Sequence, residues 1–560
     1  MEIKKFIKKY ILIILILVFA LALYTHFMFH NTLSPDEALY AWNAKQISVN
    51  PLSAFSFLSE ENGTFVLIII AFFDIFLEQE FAARLVPVLF SLFGIFSIYL
   101  LGKEINGKNT GLLAALFLTL NPWYWMLSNR ILLDVPLTAM IVLNSYFLFK
   151  FYKNPNNKLL VLSVFSFALV LLIKPVGIMM LPFNVIIILF SFREKIREGT
   201  KSLFYCFIPI ILLVLVPLFL FWDKIIEYSR FISFNRAKEN YSVFNNLFDI
   251  LFGFVPSNFY ILFYIMGLFF LCLLVYFILK AKSKFVYFFI IFWVFSVFLF
   301  RVFFGGETVV RYVLPALPAL LLLLIIVFME LYKLINEKTN FNVRNFYVIL
   351  LLILIMSILL IQSIQINKFT SYSKTGFREA GYWLRDNVDF TDSIIFAGSP
   401  AQIRYYSGSD CSLDGPVICF TNNRGIPDKK EFEEMINQHG NKTIFLQVDF
   451  REKYQPTWIR VMGYSEYLSS LDFEVIHVVT KKQPFYISPP NQRKTTLLES
   501  LNITAYMIYY GDNMIFPIDL EGYGGFMYDG KYLEELGFKQ ASSLLDYTKF
   551  AFTLEDTYIE

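Results

Sequence analysis

Residues 64–77 read TFVLIIIAFFDIFL, and the fold turns on whether they cross a membrane. The stretch is shorter than the ~17–25 residues a span needs, and it carries Asp74 within it, so an interfacial or re-entrant helix is the better reading. The surrounding loops support that choice. With 64–77 lying on the surface, one side of the membrane receives Lys4–Lys9, Lys103/Lys108, Lys150/Lys153/Lys158, Arg193/Lys195/Arg197/Lys201, Lys280/Lys282/Lys284 and Lys333/Lys338/Arg344. Every short loop on that side is basic, which makes it cytoplasmic. Reading 64–77 as a span sends five of those six clusters to the opposite face.

Working outward, apolar stretches of spanning length run over Tyr10–Phe29, Leu85–Leu101, Gly111–Ser128, Pro136–Tyr152, Leu159–Ile173, Gly177–Phe192, Leu203–Trp222, Phe259–Leu279, Phe285–Phe303, Tyr312–Leu331 and Phe346–Ile366. About eleven transmembrane helices are expected, the first an uncleaved span behind a basic start. Composition agrees: 57% of the 560 residues are hydrophobic, 65 of them Phe, and the mean hydropathy is +0.57. A soluble chain of this length does not bury so much apolar surface.

Charge divides the chain in two. From Asn367 onward there are 19 Lys+Arg and 26 Asp+Glu, net −7, which leaves 29 and 19, net +10, for the rest (48 and 45 in all). The expected organisation is a membrane domain over 1–366, with an outer loop at about 30–84, and an acidic soluble domain over 367–560. After an odd number of spans, that soluble domain lies outside the cytoplasm and the N-terminus inside. The sequons at Asn62, Asn240, Asn441 and Asn502 all fall outside in this topology. Cys411 and Cys419 could close a disulfide there or remain buried thiols.

Within 367–560, Phe377–Val388 and Pro400–Ser407 read as helices. Ser393–Ala397, Thr443–Phe450, Glu474–Thr480 and Thr504–Tyr510 read as strands, which suggests a small α/β domain. No phosphate-binding glycine loop is present, and nothing in the charge pattern points to nucleic acid.

Ionisable residues at or within spans are functional candidates by default. Here they are Asp36/Glu37, Arg130/Asp134, Lys174 and Arg301/Glu307/Arg311, all at the outer ends of spans. Acids alone would suggest a cation path and bases alone an anion pore. Carboxylates mixed with Arg and Lys suit a reaction on a phosphate-bearing substrate, with Arg as a bidentate fork and Lys as a point charge.

The blocks SPDEALYAW (34–42), EFAARLVPVLF (80–90), TGLLAALFLTLNPW (110–123), NRILLDVPL (129–137), IKPVGIMMLP (173–182) and RYVLPALPALLLL (311–323) resemble, in order, the GT-C membrane glycosyltransferases. The likeness is strongest to the branch of lipid A aminoarabinose transferases and dolichyl-phosphate-mannose-protein mannosyltransferases, and it covers about residues 30–325. It implies a GT-C-like helical fold with 64–77 as a juxtamembrane helix, Asp36 as the catalytic acid of the first outer loop and Glu37 beside it. It further implies that Arg130, Lys174, Arg311 and Tyr312 line a lipid-phosphate pocket, to which we add Asp134. One departure stands out: NGTFVLI occurs where family members often carry His-Pro-Pro or Lys-Pro-Pro before the juxtamembrane helix.

The implied partners are a polyprenyl-phosphate-linked sugar as donor, a protein, lipid or glycan as acceptor, and membrane lipids. The donor has a good leaving group, so the site needs a base for the attacking hydroxyl and cations for the phosphate. No cofactor or metal is expected, although a divalent cation at Asp36/Glu37 remains an alternative. Asp36/Glu37 could instead be a helix-start acid pair, Arg130/Asp134 a structural ion pair, and Lys174 or Arg311 a headgroup-snorkelling cation. As whole-protein alternatives, an oligosaccharyltransferase, a transporter and a non-catalytic lipid-binding protein remain open.

Overall fold

The computed structural model describes residues 2–26, 28, 33–54, 63–197, 272–281, 284–304, 310–336, 355–361, 363–364, 377–391, 393–397, 400–409, 417–419, 443–448, 477–483, 486–487, 496–497 and 503–509. The expected span Leu203–Trp222, most of Phe259–Leu279, Glu307, Cys411 and the four sequon asparagines lie outside these residues. The chain divides into two compact units, Met1–His26 with Ala44–Asn367, and Phe27–Asn43 with Lys368–Glu560.

The first unit is helical. Its elements are α1 (Glu2–His26), the end of α2 (Pro35–Val49), α3 (Thr64–Asp74), α4 (Gln79–Asn106), α5 (Lys108–Leu120) and α6 (Pro122–Ser128). They are followed by α7 (Asp134–Lys153), α8 (Asn157–Ile173), a 3-10 segment at Pro175–Met180, α9 (Leu181–Arg197), α10 (Phe285–Phe304), short 3-10 turns at Val310–Tyr312 and Leu314–Ala316, and α11 (Leu317–Asn336). Among the described residues, four helical segments are long and apolar enough to cross a membrane: Gln79–Asn106, Asp134–Lys153, Pro175–Phe192 and Leu314–Leu334.

Helix α3 settles the length of 64–77. Its 11 residues rise about 16 Å, roughly half the ~30 Å of a hydrocarbon core. It opens at Gly63, whose φ of 97° is costly for any residue with a Cβ. Although apolar nearly throughout, α3 is two-faced: Val66, Leu67, Ile70 and Ala71 are buried, whereas Ile68 and Phe72 are exposed, as are Ile75 and Phe76 just beyond.

Local chemistry explains the other boundaries. The Glu78 carboxylate accepts the Glu80 and Phe81 N–H groups and so starts α4. The expected single span 111–128 is two helices. Asn121 Oδ1 accepts from Trp123 and Tyr124, and Pro122 occupies the first position of the new helix, where its missing N–H is harmless. Gly102 and Gly111 let α4 and α5 touch backbone to backbone, since a Cβ on Gly111 would collide with the Tyr99 carbonyl and lie 2.9 Å from the Lys103 nitrogen. Aromatic side chains fill the α9/α10 contact, with Phe183 and Phe289 at 4.9 Å, and Trp293 Nε1 donates to the Pro315 carbonyl at 3.1 Å.

In the second unit, α12 (Phe377–Asn387), β1 (Ser393–Ala397) and α13 (Pro400–Ser407) fall where the sequence pattern puts them. With β2 (Val417–Cys419), β3 (Thr443–Val448), β4 (His477–Gln483) and β7 (Ile503–Tyr509), they build a five-stranded sheet of order β2-β1-β3-β7-β4. Strand β1 runs parallel to β2 and β3, and β7 is antiparallel to β3 and β4. A separate pair joins β5 (Tyr486–Ile487) to β6 (Thr496–Leu497). Strand β4 starts three residues later than its apolar run suggests. Helices α12 and α13 pack tightly, because a Cβ on Gly381 would strike the Tyr406 side chain. After α12, the Asp389 carboxylate accepts the Thr391 N–H and hydroxyl, which holds its pKa below the ordinary aspartate value.

Candidate active site

The first unit gathers four of the expected residues at two helix ends and one turn. Asp134 opens α7 and Lys174 closes α8, forty positions apart. Lys174 Nζ lies 3.0 Å from Asp134 Oδ1, with the two side chains 14% and 4% exposed. The same ammonium sits 5.2 Å from the centroid of the Tyr312 ring. Arg311 approaches that ring too, with its Cζ 5.1 Å from the centroid and Nη2 within 3.3 Å of the phenol oxygen. Tyr312 thus gathers two cations about one aromatic ring. Two cations against one carboxylate leave a positive excess, and a preformed site of that kind suits an anion with planar oxygens.

The expected pairing of Arg130 with Asp134 is corrected. The carboxylate belongs to Lys174, and the buried Nε of Arg130 has no hydrogen-bond partner. Four-residue spacing makes a pair only inside one helix, and Arg130 lies before the first turn of α7. Arg301 and Glu307 are not among the residues whose side chains are described.

The acids Asp36 and Glu37 belong to the second unit. Ser-Pro starts a helix as its sequence suggests, and the two carboxylates then differ. Glu37 Oε2 accepts the Ser34 N–H at 2.9 Å, and Ser34 Oγ accepts the Glu37 N–H at 3.4 Å. This is a reciprocal capping box, and it commits Glu37, which is 2% exposed, to holding the helix start. Asp36, the next residue in the first turn, is only half-buried.

Two features escape a reading of the sequence alone. Glu80 and Arg84 form a buried ion pair on α4, with Nη2 to Oε1 at 2.8 Å and side chains 7% and 1% exposed. Their i,i+4 spacing is the available signal, missed when the span is counted from Leu85. In the second unit, Tyr406 Oη accepts the Leu33 N–H at 2.9 Å, and the Arg404 guanidinium lies 4.7 Å from the Trp42 ring centroid. No local pattern announces contacts between positions 373 apart. Beside them, the Gln402 amide is 1% exposed with both its nitrogen and its oxygen unpartnered.

Residues 64–222 match the family described as dolichyl-phosphate-mannose-protein mannosyltransferase. An uncharacterized protein of Aquifex aeolicus (strain VF5) is 25% identical over 388 residues, covering 65% of this chain and 71% of that one. Among solved structures, ArnT from Cupriavidus metallidurans bound to undecaprenyl phosphate superposes with a TM-score of 0.51 at 14% identity, over 79% of this chain and 94% of the other. The oligosaccharyltransferase AglB from Archaeoglobus fulgidus, in complex with an inhibitory peptide and a dolichol-phosphate, gives a TM-score of 0.52 at 12% identity, over 88% and 75%. The resemblance carried by the ordered sequence blocks is therefore matched at both levels: the chain has the fold of the GT-C membrane glycosyltransferases and is similar to their aminoarabinose-transferase and protein-mannosyltransferase branch.

Proposed function

We propose that the protein is an inverting glycosyltransferase that moves one sugar from a polyprenyl-phosphate donor to an acceptor on the extracytoplasmic face of a membrane. The observation that carries this reading is the Lys174–Asp134–Tyr312–Arg311 cluster, a cationic seat built from three chain segments at the ends of apolar helices. In the proposed reaction, Asp36 takes the proton from the attacking acceptor hydroxyl. The oxygen attacks the anomeric carbon as the bond to the phosphate oxygen breaks, and the polyprenyl phosphate leaves with its charge held by Lys174 and Arg311. Asp134 keeps the lysine charged and oriented, and Arg130 adds a further cation at the same end of α7. Around this site we place about eleven spans, a cytoplasmic N-terminus and an extracytoplasmic C-terminal domain, with the basic loops as support.

A second reading, transfer of a glycan from a lipid donor in the manner of an oligosaccharyltransferase, is favoured by the fold likeness to the Archaeoglobus protein. One experiment separates the two. Purified protein in nanodiscs is given a polyprenyl-monophosphate sugar, a polyprenyl-diphosphate oligosaccharide or a nucleotide sugar, and release of the lipid carrier is followed. Turnover of the monophosphate alone is expected. Turnover of the diphosphate alone supports the second reading, and direct use of the nucleotide sugar contradicts both.

A further inference from the structure

We infer that the C-terminal part of the chain positions the acid-bearing helix, with Tyr406 and Arg404 as positioning residues for the reaction. The inference rests on the role proposed above for Asp36. Both contacts lie inside the second unit, which joins Phe27–Asn43 to Lys368–Glu560. Tyr406 Oη accepts the backbone N–H of Leu33, the residue just before the Ser34 that caps α2. Arg404, two residues earlier on α13, stacks on Trp42 further along the same helix. The two contacts therefore bracket Asp36, one three residues before it and one six residues after.

Each anchor is buried and is itself braced. Leu33, Trp42 and Tyr406 are 0%, 5% and 2% exposed. The Tyr406 ring meets Tyr382 edge-on at 5.6 Å and Tyr405 at 5.1 Å, and Arg378 lies 5.8 Å from its centroid. Gly381 permits that approach of α12 to α13. A backbone N–H that precedes a helix has no partner within it, so a side-chain oxygen fixed on another element sets both the angle and the register at which the helix begins. A general base must lie within hydrogen-bond reach of the proton it takes, and a displacement of about 1 Å can cost about 10² in rate. The capping box holds the shape of the first turn, and the Tyr406 and Arg404 contacts hold its place.

The test uses the full-length protein in nanodiscs with the variants Tyr406→Phe, Arg404→Ala and Arg404→Lys. Tyr406→Phe keeps the ring and its aromatic neighbours and removes only the accepting oxygen. Backbone amide exchange across residues 27–43 is compared with exchange across 134–153, together with kcat, KM and donor affinity. Faster exchange confined to 27–43 is expected in Tyr406→Phe and Arg404→Ala. So is a fall in kcat of about tenfold, the worth of one lost hydrogen bond, with donor affinity unchanged. Arg404→Lys retains the cation and recovers part of the rate. Unchanged exchange in both variants overturns the clamp. Faster exchange with unchanged kcat overturns the positioning role. A wild-type protein that transfers no sugar defeats the proposed function instead, and exchange at 27–43 still decides whether the clamp exists.

Discussion

The ammonium of Lys174 and the carboxylate of Asp134 meet at 3.0 Å, almost closed off from solvent, at the adjoining ends of α8 and α7. A pair this buried is costly to break from one side, because the surviving charge keeps its desolvation penalty without compensation. Lys174→Ala is expected to weaken donor binding and also to destabilise the protein, by about 3–5 kcal/mol on the experience of buried pairs. Replacing both residues, Lys174→Met with Asp134→Leu, restores most of the stability and none of the donor affinity. Thermal unfolding in detergent and donor titration of the three variants separate the two effects. A double variant that binds donor normally contradicts the phosphate role.

Helices α4 and α5 approach closely at Gly102 and Gly111. Gly111→Ala puts a methyl into the Tyr99 carbonyl and the Lys103 nitrogen, backbone atoms that do not move independently. A loss of about 1–3 kcal/mol is expected, as for overpacked cores. It is read as a lower unfolding temperature and a smaller folded yield. An unchanged transition contradicts the close approach.

Gln402 is buried with neither amide atom paired. Methionine has a similar length and shape and no strong polar group to desolvate. Gln402→Met should therefore stabilise the protein by about 1 kcal/mol, the low end of the penalty for a lone buried polar group. A lower unfolding temperature in this variant shows that the amide has a partner in solution.

The proposed topology is testable without activity. In a cysteine-free background, Asp428→Cys is expected to react with a membrane-impermeant thiol reagent on intact cells, and Lys108→Cys only after lysis. The reverse pattern contradicts the extracytoplasmic placement of the C-terminal domain.

The parts of the molecule legible in the sequence are those where a local rule has one solution. Charges at span ends are few, so Lys174, Asp134, Arg311 and Tyr312 stand out, and the structure places them together. The Ser-Pro before Asp36 signals a helix start, and Glu37 three residues after Ser34 completes the capping box. Nearness in sequence misleads at Arg130, which looks like the natural partner of Asp134 until α8 delivers Lys174 from forty positions away. The break at Asn121-Pro122 is hidden inside a continuous apolar run, because hydropathy counts side chains whereas the break comes from a missing backbone N–H and a capping amide. The Leu33–Tyr406 bond involves a backbone donor, to which no residue type corresponds.

The most direct test of the central claim compares Asp36→Asn with Glu37→Gln and the wild type, all in nanodiscs, for polyprenyl-monophosphate-sugar turnover and donor affinity after each is shown to be folded. If Asp36 is the base that activates the acceptor, Asp36→Asn loses about 10²–10⁴ in turnover and still binds the donor. Glu37→Gln, which keeps an acceptor for the Ser34 N–H, loses far less. Near-wild-type turnover in Asp36→Asn would contradict the account and leave the two carboxylates as the first turn of a helix.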